Sequence, residues 1–145
     1  MQQAAYSLIP ESEKQATHLK IGQRLNQSTP PELLTENVLD IVNQLNIGVD
    51  LLQTQTEKHD LAQLNLIAAR KAKAATAYDA ALKYLTIALA LIEKDSWHSN
   101  YSLTFNLYVD ITEIEYLNSH FEECKRLGDI SLQQANTVLE QVKIY

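Results

Sequence analysis

Residues 78–92, Tyr78-Asp79-Ala80-Ala81-Leu82-Lys83-Tyr84-Leu85-Thr86-Ile87-Ala88-Leu89-Ala90-Leu91-Ile92, decide the fold. Tyr78, Ala81, Leu82, Leu85, Ala88, Leu89 and Ile92 recur at intervals of 3, 1, 3, 3, 1 and 3 residues, the period that returns side chains to one face of an α-helix. A strand cannot line up that spacing, because its side chains alternate between two faces. The segment is expected to be a helix with one apolar stripe, which other helices must cover.

Toward the C-terminus, Glu93 to Ser96 is expected to form a turn, followed by Trp97. Tyr101, Leu103, Phe105, Leu107, Val109 and Ile111 then alternate with polar residues, which taken alone indicates a half-buried strand. A lone strand has no partner in a chain without other strand signals, and Ile111, Ile114, Tyr116 and Leu117 return to helical spacing. The window is therefore expected to be helical. A final helix is expected from a cap at Ser119/Glu122, burying Phe121, Cys124, Leu127, Ile130, Leu132, Val138 and Leu139.

Toward the N-terminus, capping pairs mark further helix starts, since a Ser or Thr followed three residues later by Glu or Gln satisfies free N–H groups reciprocally. Ser12/Gln15, Thr29/Glu32 and Thr54/Glu57 fit, and Pro30 suits a first helical position. The expected helices run from about Ser12 to Asn26 (Ala16, Leu19 and Leu25 inward), from Thr29 to a left-handed stop at Gly48 (Leu34, Val38, Ile41, Val42 and Leu45 inward), and from about Thr56 to Thr76 (Leu61, Leu64, Ile67 and Ala68 inward). Met1 to Ile9 is helical in composition, lacks a cap and stops at Pro10. It is expected to continue a helix from upstream in a longer parent.

The 145 residues carry 12 Lys+Arg against 18 Asp+Glu, a net charge of −6, and 46% are hydrophobic. One compact domain with a substantial core is the expectation. Three glycines and three prolines are too few for the turns of a sandwich or barrel. An all-α fold of about six or seven helices in antiparallel hairpins follows. The acidic balance disfavours nucleic acid, whose phosphates demand Lys and Arg. No apolar run approaches the roughly 18 residues that span a bilayer, the N-terminus lacks the charged-then-apolar form of a signal peptide, and a single cysteine, Cys124, is expected to make no internal disulfide. A cytoplasmic location is expected.

An internal repeat has an offset of 43 residues, placing Tyr78 over Phe121, Asp79 over Glu122, Ala81 over Cys124, Ala88 over Ser131 and Leu89 over Leu132. An aromatic near the inter-helix turn, followed by small residues and a leucine, is the logic of a helical-hairpin repeat. The pattern resembles a degenerate tetratricopeptide repeat in a right-handed stack. It lacks the Trp, Gly and Pro of that consensus, and its spacing is longer. Residues 29–145 are assigned to this region.

Four stretches carry a wider resemblance: Gln2-Gln3-Ala4-Ala5-Tyr6-Ser7-Leu8-Ile9-Pro10, His18-Leu19-Lys20-Ile21-Gly22, Asp40-Ile41-Val42-Asn43-Gln44-Leu45-Asn46-Ile47-Gly48 and Ala74-Ala75-Thr76-Ala77-Tyr78-Asp79-Ala80-Ala81-Leu82-Lys83-Tyr84-Leu85. The chain is similar to one region of the large multidomain signalling kinases common in cyanobacteria. In that family a serine/threonine kinase domain precedes an AAA-type ATPase module, helical repeats, GAF sensors and a histidine kinase. The resemblance places residues 1–28 at the helical end of the ATPase module, and it implies a non-catalytic connecting and interaction module for the whole chain.

Chemistry-bearing motifs are sparse. Isolated glycines cannot cradle phosphate, and kinase loops of the H-R-D or D-F-G type do not occur. None of His18, His59, His98 and His120 sits at ligand spacing with another or in a phospho-acceptor context. Neither a cofactor nor a metal is expected. His59-Asp60 beside Glu57 reads as first-turn charge near the helix dipole, and Glu122 and Glu123 are expected to raise the Cys124 pKa. Asn43, Asn46, Asn65 and Asn106 interrupt apolar segments, and Arg70, Lys71 and Lys73 form the basic run. A partner-binding groove of Asn65, Arg70, Lys73 and Asn106 is the second functional reading, that of an independent peptide-binding adaptor. Trp97 is expected to cover the end of a helix pair, and self-association through uncapped repeat ends is a further expectation.

Overall fold

Proline sets the limits of the first helix. Pro10 is extended at ψ 147°, and its carbonyl accepts the N–H groups of Glu13 and Lys14, so helix α1 runs Glu11–Ser28. The residue before a proline is pushed out of the helical region. Thr29, ahead of Pro30, accordingly sits at ψ 119° and ends α1, its hydroxyl donating to the Leu25 carbonyl at 2.6 Å. Thr29 is thus a C-terminal cap rather than the N-cap its sequence context suggested. The next turn, 3-10 in form, spans Pro31–Leu33, with Pro31 rather than Pro30 inside it.

The computed structural model describes residues 10–93 and 96–134. The expected helix at Met1 to Ile9, and Val138 and Leu139, lie outside them. The remaining elements are α2 (Leu34–Ile47), a second 3-10 turn (Val49–Leu51), α3 (Gln55–Ala74), α4 (Tyr78–Leu91), the single-turn α5 (Ser96–Ser99), α6 (Tyr101–Leu117) and α7 (Phe121–Gln134). Among the described residues the protein is all-α, with seven α-helices and no strand. The chain divides into two compact units, Met1–Leu61 and Ala62–Tyr145. The division falls inside α3.

In the first unit α1 packs against α2. Val38, Ile41, Val42 and Leu45 of α2 are buried as their spacing required. The α1 side is set by glycine rather than leucine. A Cβ on Gly22 would stand 2.6 Å from Leu45 Cγ and 3.0 Å from its backbone nitrogen, and one on Gly48 would stand 2.7 Å from both the Gln15 carbonyl oxygen and Leu19 Cβ. The two helices touch backbone to side chain there. Gly48 sits at φ −98°, so it is not a left-handed stop; it is small because α1 crosses directly above it. Leu25, expected inward, is exposed. His18 Nδ1 lies 2.6 Å from Gln44 Oε1 across the same pair.

Ahead of α3, the expected cap at Thr54 forms, its hydroxyl oxygen accepting the Glu57 N–H at 3.2 Å. In the second unit α6 packs against α4 on one side and α7 on another, with α5 on its first turns. Burial from several sides explains its strand-like pattern. Leu103, Thr104, Phe105, Leu107, Ile111, Ile114 and Glu115 are all buried, so no single stripe survives in the sequence. Thr104 tolerates this position because its hydroxyl donates to the Asn100 carbonyl at 2.8 Å. Trp97 packs on Tyr101 and Tyr108, ring centroids 5.8 and 5.1 Å away, covering the start of α6.

The two inter-helix turns share one backbone design. At the end of α3, Ala77 N–H donates to the Ala72 carbonyl at 2.8 Å and Thr76 N–H to Lys73 at 2.9 Å, with Thr76 at φ 60°. At the end of α6, His120 N–H donates to Glu115 at 2.8 Å and Ser119 N–H to Tyr116 at 3.0 Å, with Ser119 at φ 64°. Both are Schellman terminations, in which one left-handed residue closes the helix and frees the chain to turn. Ser119 is therefore the end of one helix and not the cap of the next. Phe121, expected inside, opens α7 beside this turn and is 58% exposed.

Two sets of substitutions test this account by thermal denaturation. Gly22→Ala gains about 1 kcal/mol of helix propensity but overpacks the α1–α2 contact at a cost of about 1–3 kcal/mol, so the midpoint falls. Gly128→Ala, whose Cβ would meet only Thr112 Cγ2 at 3.6 Å, keeps the propensity gain and the midpoint rises. Thr76→Gly and Ser119→Gly relieve a left-handed side chain worth about 1 kcal/mol each, and β-branched Thr76 gains more. A fall on either turn substitution refutes the Schellman reading.

Candidate functional site

The backbone of the two turns superimposes on the sequence repeat residue for residue. Ala72, Lys73, Thr76, Ala77 and Tyr78 correspond to Glu115, Tyr116, Ser119, His120 and Phe121, each 43 positions later, and Tyr78 and Phe121 each open a helix. Within α4 and α7 the equivalent pair Ala88 and Ser131 are both fully buried. Ser131 keeps its hydroxyl satisfied by donating to the Leu127 carbonyl at 2.9 Å. Ala81 is buried, whereas its equivalent Cys124 is half-buried.

The polar features of the second unit gather where α3 meets α6. Arg70 Nε donates to Asp110 Oδ2 at 2.7 Å, and Lys73 Nζ lies 2.5 Å from Glu113 Oε1. Asn118 Nδ2 reaches the Tyr78 carbonyl at 3.5 Å. All three contacts join residues 40 positions apart, one repeat less one helical turn; the first two form a ladder between α3 and α6, and the third ties the residue after α6 to the start of α4. Beside it lies an open depression of about 320 Å³ lined by Arg70, Lys73, Ala74, Tyr78 and Asp110.

Of the expected groove residues, Arg70 and Lys73 come together here, each already neutralised by a carboxylate of α6. Asn65 does not join them. It is fully buried in the core, because α3 turns its position inward among Leu61, Ala62, Leu66, Ala68 and Ala69, and it lines no open groove. Asn106 is half-buried on α6, Asn43 is exposed and Asn46 half-buried. Reading the basic run without partners missed Asp110 and Glu113. Their own spacing of three residues, matching that of Arg70 and Lys73, was the signal in the sequence.

A second polar contact lies under the α6–α7 turn. Glu115 is buried at the position that Ala72 holds in the preceding repeat, and its Oε2 is 2.6 Å from His120 Nδ1. Partial burial pushes the nearby Cys124 thiol up, and the Glu115 charge adds to this. The charge that adds to burial is therefore that of Glu115 rather than of the adjacent Glu122 and Glu123. Glu123 instead pairs with Arg126, whose hydrogen bonds hold its carboxyl below the usual range. Among the described residues no group of three or more His, Cys, Asp and Glu side chains could hold a metal ion. Nor is any described helix long and apolar enough to cross a membrane.

The described chain is thus an all-α protein whose second unit repeats one helix–turn–helix design, with its polar residues spent on joining helices. Its sequence is related to part of a signal-transduction kinase: over 159 aligned positions, 93% of the chain, it is 30% identical to Hybrid signal transduction histidine kinase G of Dictyostelium discoideum. The chain spans 5% of the length of that protein. No family model matches the chain, and no solved structure does.

Exposed pairs contribute about 0–1 kcal/mol each, so the ladder aligns helices more than it stabilises them. A double-mutant cycle on Arg70→Ala and Asp110→Ala is expected to give a coupling below about 1 kcal/mol that shrinks further in high salt. A coupling of several kcal/mol, indifferent to salt, refutes that assignment.

Proposed function

We propose that the chain is a non-catalytic helical-repeat module of a multi-sensor signal-transduction kinase, connecting an ATPase module to sensor and histidine-kinase domains. The observation that carries the reading is the alignment of 93% of the chain with a 5% segment of a hybrid signal transduction histidine kinase. A stretch so small within so long a protein, free of kinase and phosphate-binding motifs, fits a connecting part. The resemblance to the cyanobacterial kinases supplies the order of the neighbouring domains.

In this reading α3–α4 and α6–α7 are consecutive units of a right-handed tetratricopeptide-like stack. The shared turn and the 43-residue repeat support it. Residues 1–28 are the helical end of the preceding ATPase-type module, and residues 29–145 are the repeat region. The module works by rigidity: helices held in register by packing and by the Arg70–Asp110 and Lys73–Glu113 pairs pass displacement of one neighbour to the next. Its partners are protein domains, and it acts in the cytoplasm without nucleic acid, membrane or cofactor. The adaptor reading is weaker, because it relied on Asn65.

A chimera tests this. The matched segment of the Dictyostelium kinase is replaced by this chain or by an unrelated helical rod of equal length, and autophosphorylation and its regulation are measured. The chain is expected to preserve regulation, and the rod to abolish it while leaving basal activity. Equal regulation in both chimeras refutes a specific relay.

A further inference from the structure

Thr29 stands before Pro30, the one place in the sequence where a hydroxyl residue precedes proline. Its backbone is extended at φ −88° and ψ 119°, and Pro30 continues extended at φ −61° and ψ 149°. The two residues join α1 to the 3-10 turn at Pro31–Leu33. Residues 23–28 and 30–33 on either side are exposed, and Thr29 itself is half-buried. Protein kinases take their substrates as extended, accessible segments, and a residue ahead of proline is extended before any enzyme reaches it.

In the fold the same hydroxyl closes a helix. Thr29 Oγ1 donates to the Leu25 carbonyl at 2.6 Å, and Ser28 Oγ donates to that oxygen at 3.3 Å. The last turn of α1 carries no basic residue to meet the negative end of the helix dipole. It closes on hydroxyl groups rather than on a cation.

We propose that Thr29 is a phosphorylation site for a proline-directed protein kinase, and that phosphate there unwinds the end of α1. In the step, Oγ1 forms a bond to the γ-phosphorus of ATP as the bond from that phosphorus to the β,γ-bridging oxygen breaks. ADP leaves, and the hydroxyl proton passes to the base of the kinase. The modified oxygen has no hydrogen to give Leu25, and a charge of about −1.5 to −2 then stands at the negative end of the α1 dipole. No cation follows to receive it: from Arg24 the next Lys or Arg is Lys58, while Glu32 and Glu36 occupy the first turns of the two elements after Thr29. Phosphate could order the following helix only through N–H groups at its start, and Pro30 and Pro31 have none. Disruption therefore outweighs ordering. The turn released, residues 25–28, adjoins the one in which Gly22 lies against Leu45, so the modification loosens the α1–α2 pair. This site does not rest on the connecting role proposed above.

The test treats the full chain with magnesium, ATP and a proline-directed Ser/Thr kinase and locates phosphate by mass spectrometry. Incorporation is expected at Thr29, retained in Thr29→Ser and lost in Thr29→Val. Phosphorylated and unmodified chains are then compared by amide hydrogen exchange and thermal denaturation. Phosphate is expected to speed exchange at residues 26–28 by about tenfold, the combined effect of a lost hydrogen bond and an opposed dipole. It is expected to lower the melting midpoint by roughly 5 °C, an effect that shrinks in high salt because it is electrostatic. Thr29→Val, which loses the donor without gaining charge, is expected to lower the midpoint less. The proposal is overturned if the folded chain takes no phosphate at Thr29, if the phosphorylated chain exchanges and melts as the unmodified one does, if phosphate raises the midpoint, or if Thr29→Val costs as much as phosphate.

Discussion

The second unit depends on a backbone conformation that side chains disfavour. Thr76 and Ser119 stand at φ 60° and 64°, where an L-residue costs about 1–2 kcal/mol. Neither site carries glycine. The strain is held because each turn closes the last carbonyls of its helix, Ala72 and Lys73 in one case and Glu115 and Tyr116 in the other, and open carbonyls at a helix end would otherwise need other donors. The direction in which α4 leaves α3, and α7 leaves α6, follows from that one residue. With both turns alike, the relation between successive helices is copied rather than reinvented.

Copying a turn is useful only if the helices it directs can approach one another, and here small residues permit it. Ala62, Ala68, Ala69 and Ala72 of α3, Ala81 and Ala88 of α4, and Gly128 and Ser131 of α7 are all buried. Alanine gives up no rotamer freedom on burial, and Ser131 returns its hydroxyl to its own helix. In the first unit Gly22 and Gly48 do the corresponding work where α1 crosses α2. The two units thus use different residues for the same physical end, a short distance between helix axes.

The helices themselves were legible in the sequence wherever one face is buried, as in α2 and α4, whose stripes fall on Val38, Ile41, Val42 and Leu45 and on Ala81, Leu85 and Ala88. The repeat was legible through the aromatic residues that open α4 and α7. Helix boundaries were read less well, because Thr29 and Ser119 have the composition of N-caps but stand at C-terminal ends, a difference made by proline in one case and by positive φ in the other. The groove was misjudged at Asn65, since a polar residue in an apolar helix looks the same in sequence whether its side chain faces solvent or core. Burial of Glu115 is decided by α6 lying between neighbours, which no local pattern reports.

The charges along α3 and α6 then acquire a meaning that stability does not give them. Arg70 and Lys73 on one helix answer Asp110 and Glu113 on the next, yet exposed pairs contribute little energy. What they fix is register: a helix shifted by one turn would keep only one of the two pairs, and a copy carrying the wrong sign would bring like charges together. Glu113, the equivalent of Arg70, reverses the sign, so the two faces of the repeat are not interchangeable. Helices paired this way have a defined order, and defined order is what the proposed connecting role between unlike domains would require.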